Sequence, residues 1–333
     1  MKRILYLIYY LKDSDYKKLF EFLNYASINT GKNKFSLLID CVYSSIKYNI
    51  SLMDYFYFKF YNSTNNIRKQ YAGTGFMYEY QLKMNPLKVR DILENKILFL
   101  NHFSEFINRK YSTYSNLKRN NSEFNKILNP FSDYIVIKGS KGQTGKQVSV
   151  IETKGLTRDG LLKIMQDSNY DLVEEFVVQH RSLMELSPSG LNTIRLFTQL
   201  TNENQVEFLG ARLRITINSK VDNMAAGNPA AEVDLKTGKV IGSAYFSDIR
   251  KDPVSVHPIT KVSIDGFEIP YWSQVIEMVT MASLKAAGNK SIGWDIAITE
   301  KGPELIEGNH NWCKILWQIP VERGLKHHLL NYL

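Results

Sequence analysis

Residues 292–309, IGWDIAITEKGPELIEGN, carry three oxygen-bearing side chains at spacings that can converge on a cation. Two apolar runs flank the turn signal Glu300-Lys301-Gly302-Pro303, which predicts a β-hairpin. Asp295 falls on the first strand, with Glu307 and Asn309 on the second. Strand side chains alternate faces, so Glu307 and Asn309 point the same way. If the hairpin folds near Lys301, Asp295 lies roughly opposite Glu307. Hard oxygen donors so arranged suit Mg²⁺, which takes one or two carboxylates together with phosphate oxygens and water. The competing reading is a solvated strand face with incidental acids, which needs no special cause.

A second segment, residues 133–152 (DYIVIKGSKGQTGKQVSVIE), reads as a strand ending in Lys138, a small-residue loop and a second strand. Gly139, Gly142 and Gly145 allow close backbone approach, and the loop N–H groups, including those of Gln143 and Thr144, can cradle phosphate oxygens. Lys138 adds a point charge. The Gly-Lys-Ser/Thr signature opening a helix is missing, so this is not a P-loop; a plain glycine-rich turn is the alternative. Residues 172–180 (LVEEFVVQH) place Glu174 where it can accept from an adenine amino group, with the backbone of 175–177 completing edge recognition. Arg195, Arg212 and Arg214 lie inside otherwise apolar strands, where an unpaired charge is costly. They either pair with the carboxylates or stabilise a transferring phosphoryl group.

These residues need a scaffold. Residues 1 to about 90 read as mainly helical and rich in Tyr and Phe. Within them, 51–61 carries six aromatic residues, expected as a buried helix face, with an exposed contact surface as the alternative. A loop is expected at 62–66 and a helix over 88–108. Beyond Pro130, strands are expected at 134–138, 148–151, 172–179, 193–200, 206–217 and 230–234, with helices at 157–166 and 272–287. Mixed elements with several antiparallel hairpins make the class α+β.

Composition narrows the rest. No run approaches the roughly 20 apolar residues of a membrane span. The opening MKRILYLIYYL imitates a signal peptide, but Lys12 and Asp13 interrupt it and no small-residue cleavage site follows. It is expected to remain as a helix or strand, with peripheral membrane contact kept open. Cys41 and Cys313 lack metal-ligand spacing and fit a reducing, cytoplasmic setting. The net charge of +9 comes without a nucleic-acid motif, so an anionic substrate such as ATP or an anionic membrane surface accounts for it equally well.

Taken in order, these segments resemble the ATP-grasp superfamily, and within it the sugar-transfer-associated ATP-grasp family. That family's wording is visible in LNTIRLFT (191–198), VDN (221–223), HPIT (257–260), IDGFEIPYW (264–272), IGWDIAIT (292–299) and GPELIEGN (302–309). The resemblance covers roughly residues 90–320. It implies a helical N-terminal region at 1–90 and an ATP-grasp domain at 91–333. Within the domain, a nucleotide-gripping subdomain is expected at about 130–180 and a metal and catalytic subdomain at about 181–320. By resemblance, Lys96 and Lys138 contact phosphates, and 139–146, with Gly142, Gln143, Thr144 and Gly145, form a flap over them. Glu174, Glu175 and Val177 form the adenine hinge. His180, which follows the hinge in sequence, is expected either to reach the ribose or to be a structural histidine. Asp295, Glu307 and Asn309 bind Mg²⁺, with Glu307 shared between two ions. One departure is Gly293, where several amide-forming relatives carry an arginine two residues before the metal aspartate. Arg195, Arg212 or Arg214 is expected to substitute for it.

The implied chemistry is ATP- and Mg²⁺-dependent joining of a carboxylate to an amine through an acylphosphate. The implied substrates are an amino acid or other amine with an acidic sugar or sugar nucleotide, or an acid with an amino sugar, in surface-polysaccharide assembly. A phosphotransferase and a turnover-free ATP-binding partner of a glycan-assembly complex are the alternatives. His257 and His310 are expected either as structural histidines or in the acceptor site, and Trp294 and Trp312 as packing residues.

Overall fold

A computed structural model describes residues 2–128, 131–141 and 148–333. Among the described residues, ten strands form two antiparallel sheets. The smaller has the order β1-β4-β2-β3, built from β1 (Tyr111–Thr113), β2 (Tyr134–Lys138), β3 (Val148–Glu152) and β4 (Leu172–Glu175). The larger has the order β10-β9-β5-β6-β7-β8. Its strands are β5 (Ile194–Leu200), β6 (Val206–Arg214), β7 (Ala230–Val233), β8 (Val240–Tyr245), β9 (Ser291–Thr299) and β10 (Gly302–Asn309).

Each sheet buries its apolar side under helices. The helix Arg158–Asp167, capped by the Thr157 hydroxyl accepting from Gly160 N–H at 3.1 Å, inserts Leu161 and Met165 against Ile135, Ile137 and Val173. The helix Trp272–Lys285 turns Val275, Val279 and Ala282 onto the larger sheet, where they meet Ile194, Leu213 and Ile296. Trp294 is fully buried there, and its indole N–H donates to Thr198 at 2.9 Å and Ser283 at 3.1 Å. Trp312 is likewise buried, with its N–H on Ser291 at 3.1 Å, so both tryptophans pack as expected.

The N-terminal part is helical, with Lys2–Asp13, Tyr16–Thr30, Lys34–Tyr48 and Leu52–Tyr57 around a shared core. The aromatic run packs inward: Tyr55, Phe56 and Phe60 are fully buried, and Phe58 stacks on Tyr71 at 4.6 Å between centroids. This core is fastened to the chain's end. Buried Asp54 accepts from Thr74 N–H and hydroxyl at 2.7 Å each and pairs with Lys314 at 3.2 Å. The Gln318 side chain brackets the Ala72 backbone.

Several expected boundaries move. The strand expected over 172–179 ends at Glu175, and residues 62–66 run into a short helix, Asn65–Arg68. The helix expected over 88–108 is broken at Asn95, whose extended backbone (φ −103°, ψ 114°) ends Asp91–Glu94. Its side chain then caps Lys96–His102 by accepting from Ile97 and Leu98 N–H.

Candidate active site

A cavity of about 680 Å³ lies where the two sheets face each other. The smaller sheet contributes Val136, Lys138, Val148 and Val150, and the larger contributes Arg195, Arg214, Asp295, Glu307 and Asn309. Five charged residues fall in one row across the larger sheet: Glu307, Asp295, Arg195, Arg212 and Glu232 are successive cross-strand partners. The row depends on a β-bulge in β10. From Gly302↔Thr299 to Leu305↔Ile296 the pairing is regular, and then one residue is skipped so that Glu307, not Ile306, faces Asp295.

Asp295 is buried between two arginines. Arg195 grips both its oxygens, one bond being 2.8 Å, and Arg214 reaches Oδ2 at 3.0 Å. Burial alone would raise the Asp295 carboxyl; the two guanidinium groups override it and hold the group well below the usual carboxylate range. Arg214 is itself fixed by Asp222 at 2.5 Å and by Asn223. Glu307 stands differently. Burial, then the neighbouring Asp295 charge, pushes its carboxyl upward, and among the described residues it makes no ion pair. Its Oε1 accepts from the Asn309 amide at 3.2 Å. A buried and a half-buried carboxylate with an amide, one charge uncompensated, fit a hard divalent cation in chemistry and charge. Among the described residues no group of three or more His, Cys, Asp or Glu is placed to hold a metal, so any such site draws on the Asn309 oxygen.

On the opposite wall, Lys138 Nζ sits 2.7 Å from Glu174 Oε2. Arg109 reaches the same carboxylate at 2.9 Å. Burial works against ionised Glu174, but Arg109 and Lys138 prevail and bring it down to about 2. Its Oε1 is buried without a hydrogen-bond partner among the described residues. Lys96 opens its helix beside the loop: its N–H donates to Ser140 at 2.9 Å and its Nζ to Gly139 at 3.2 Å. Burial and the Lys138 charge lower its pKa. Glu175 instead turns to the Lys110 N–H at 2.7 Å, while Val177 lines the cavity.

The structure thus brings Lys96, Lys138, Glu174, Glu175, Val177, Arg195, Arg214, Asp295, Glu307 and Asn309 to one cavity. Two expected residues stay out. Arg212 lies in the charged row, but its guanidinium donates to the Trp317 and Ala211 carbonyls beneath the C-terminal segment. Burial brings it down to about 10. His180 caps the helix Arg181–Leu186, its Nδ1 taking Ser182 N–H at 3.2 Å, with Nε2 3.6 Å from Glu300. His257 is a satisfied structural histidine, bonded to Thr216 and Thr260, whereas His310 lines the cavity 2.9 Å from Glu94. Gly142, Gln143, Thr144 and Gly145 lie outside the described residues.

Sequence reasoning passed over Arg109. Besides Glu174, it donates to the carbonyls of Leu305 at 2.7 Å and Ile306 at 3.3 Å, at the bulge itself. A lone arginine between Asn108 and Lys110 carries no pattern that would have singled it out. Asp222 lay within the VDN motif, and only the fold shows that it holds Arg214.

No curated protein matches the chain. Solved structures to which the chain is similar include the ATP-grasp ligase PsnB with a phosphomimetic variant of its minimal precursor, Mg and ADP (13% identity, 75% of this chain, 61% of that one, TM-score 0.42). Others are an L-amino acid ligase from Bacillus licheniformis (13%, 72% and 50%, TM-score 0.40) and the N5-carboxyaminoimidazole ribonucleotide synthetase from Thermotoga maritima (13%, 67% and 43%, TM-score 0.37). The chain thus spans between 43% and 61% of the length of these three. A sequence profile of the sugar-transfer-associated ATP-grasp family matches residues 76–332, and the chain belongs to that family.

Proposed function

We propose that the cavity binds Mg-ATP between the two sheets and that the protein joins a carboxylate to an amine. The observation that carries this reading is the opposition of two lysines on one wall to Asp295, Glu307 and Asn309 on the other, across a space of nucleotide size. Lys96 and Lys138 face the phosphates, and Glu174 holds Lys138 in position. Apolar Val136, Val148, Val150 and Val177 wall the base, and the unpartnered Glu174 Oε1 offers an acceptor to a donor on the nucleotide. Asp295, Glu307 and Asn309 would hold Mg²⁺. When bound, the ion neutralises phosphate charge and orients the γ-phosphoryl group.

In the proposed reaction, a substrate carboxylate attacks the γ-phosphorus, the bond to the β-phosphate oxygen breaks, and an acylphosphate and ADP form. The amine then adds to the activated carbonyl, loses a proton and expels phosphate. Arg195 and Arg214 border this space. Both are tied to Asp295, so they supply a fixed positive field rather than mobile donors. The family points to a sugar-bearing acid or amine as one substrate, in surface-polysaccharide assembly at the cytoplasmic face.

The test is mass analysis of products from candidate acid and amine pairs with ATP. A product equal to the sum of the pair minus water, with ADP and phosphate released, supports ligation. A product that keeps the phosphate identifies a phosphotransferase instead, and nucleotide binding without any product identifies a turnover-free partner.

A further inference from the structure

Two helices at the N-terminal end expose apolar stripes that nothing among the described residues covers. On Lys34–Tyr48, the residues Phe35, Ile39, Val42 and Ile46 follow each other at helical spacing, so they form one line along the helix. All four are exposed, Phe35 at 72% and Ile39 at 56%. On Lys2–Asp13, Ile4, Ile8 and Leu11 form a similar line, widened by Leu5 and Tyr9, and Leu5 is 62% exposed. The opposite sides of these helices are spoken for: Tyr10 on one, and Leu37, Cys41 and Tyr48 on the other, enter the N-terminal core. Arg3 donates to the carbonyls of Ile46 at 3.2 Å and Lys47 at 2.9 Å, which sets the end of one stripe beside the start of the other.

Nine large apolar side chains on two adjoining helices are not the scattered exposure that ordinary surfaces show. Their surroundings are net basic. Lys12 interrupts the first stripe, Lys34 and Lys47 bracket the second, and Lys17 and Lys18 open the intervening helix, against Asp13 and Asp15 at the first turn between helices. The one acid on Lys34–Tyr48, Asp40, is already neutralised by Arg68 through two 2.7 Å bonds. Tyr9 and Tyr43 are both exposed beside the stripes, where a ring can lie in the headgroup layer.

We propose that this face docks on an anionic phospholipid surface. The helices lie in the plane of the interface, their apolar stripes reach the boundary of the acyl chains, and the lysines meet lipid phosphates. A second copy of the chain suits the face less well, because a two-fold contact would bring two net-basic faces together. Neither helix is long or apolar enough to span a bilayer; among the described residues no helix is. The inference is independent of the reaction assigned to the cavity.

The experiment is co-sedimentation of the full chain with vesicles of phosphatidylcholine alone or mixed with phosphatidylglycerol. The chain is expected to pellet with the mixed vesicles, far less with phosphatidylcholine, and to be partly released by salt. Ile8→Glu/Ile39→Glu, both at exposed positions, should stay in the supernatant while keeping the wild-type melting temperature. Should that pair lower the melting temperature, Lys12→Glu/Lys34→Glu gives the same reading without touching an apolar contact. Failure of the wild type to pellet with phosphatidylglycerol overturns the proposal. So does undiminished pelleting of the folded variants. A wild type that sediments as a dimer without lipid, made monomeric by Ile8→Glu/Ile39→Glu, assigns the face to a second copy instead.

Discussion

Replacing Glu307 by Gln separates the cost of a half-buried carboxylate beside Asp295 from its use. Glu307 is half-buried directly across the ladder from Asp295, and desolvation and that neighbour push its carboxyl upward. Taking about 5 Å for a cross-strand pair and an effective dielectric of about 20, the raw repulsion is about 3 kcal/mol. Arg195 and Arg214 offset much of it, so the neutral amide should gain about 1 kcal/mol, equivalent to about 2 °C in Tm for a chain of this size. The sign with pH follows. A carboxyl with a raised folded-state pKa contributes stability below its unfolded pKa and loses it as pH rises through the folded value. The Glu307→Gln advantage should therefore be present at neutral pH and vanish in acid. Turnover should move the other way, falling about 10²–10³-fold as an electrostatic contact to the metal and phosphates is lost. The assay is thermal melting with and without Mg-ATP, followed by ATP turnover. Wild type should gain Tm with Mg-ATP, and Glu307→Gln should not. A variant less stable than wild type without ligand would refute the unpaired-carboxylate argument. A stable variant with full turnover would refute the metal assignment.

Glu174 has the opposite pH signature. Its carboxyl falls from 4.5 to about 2, so it adds about 3 kcal/mol above its unfolded pKa, and this is lost as pH falls toward 2; acid titration of Glu174→Gln should show a correspondingly shallower loss of stability. Lys138→Ala should weaken nucleotide binding at least about tenfold, because a charge-assisted phosphate contact goes with it; unchanged calorimetric titration would leave Lys138 as only a partner of Glu174. Arg212→Met should keep the KM for ATP, since its guanidinium faces Trp317 and Ala211, whereas Arg195→Met should abolish turnover by releasing Asp295. Steady-state kinetics in which the two variants fall equally would mean that the whole charged row acts on the substrate.

The hairpin was legible because its signals are local: alternation, a turn at Glu300-Lys301, and acids on one face. What was not legible is why the acids meet. Simple pairing around that turn sets Asp295 against Ile306, and only the bulge shifts Glu307 into place. A bulge is decided by what the extra residue's carbonyls find, and here they find Arg109, nearly 200 residues earlier. Strands β1 and β8 escaped for a related reason. Tyr111–Thr113 is three residues long and owes its strand state to pairing with β4, while Gly242 and Ser243 dilute the pattern of β8. Alternation could place Arg212 and Arg214 on one face but could not tell their ends apart. A side chain as long as arginine chooses its direction from the carbonyls and carboxylates within reach, and those come from Trp317 for one and from Asp222 and Asp295 for the other.

Arg109 also joins the two walls of the cavity into one electrostatic unit. It holds Glu174, which holds Lys138, and it holds the bulge that presents Glu307 to Asp295. The cationic wall and the acidic wall are therefore positioned by one buried guanidinium, which also lies 3.7 Å from Glu304. Such a residue has no polar surroundings to fall back on. Losing it would leave Glu174 and Glu304 buried with one cation fewer, a far larger penalty than loss of an exposed pair. The geometry of the site and the joining of the two sheets are thus set by the same contacts. A change that loosens one sheet from the other displaces Lys138 relative to Glu307 before it touches either residue.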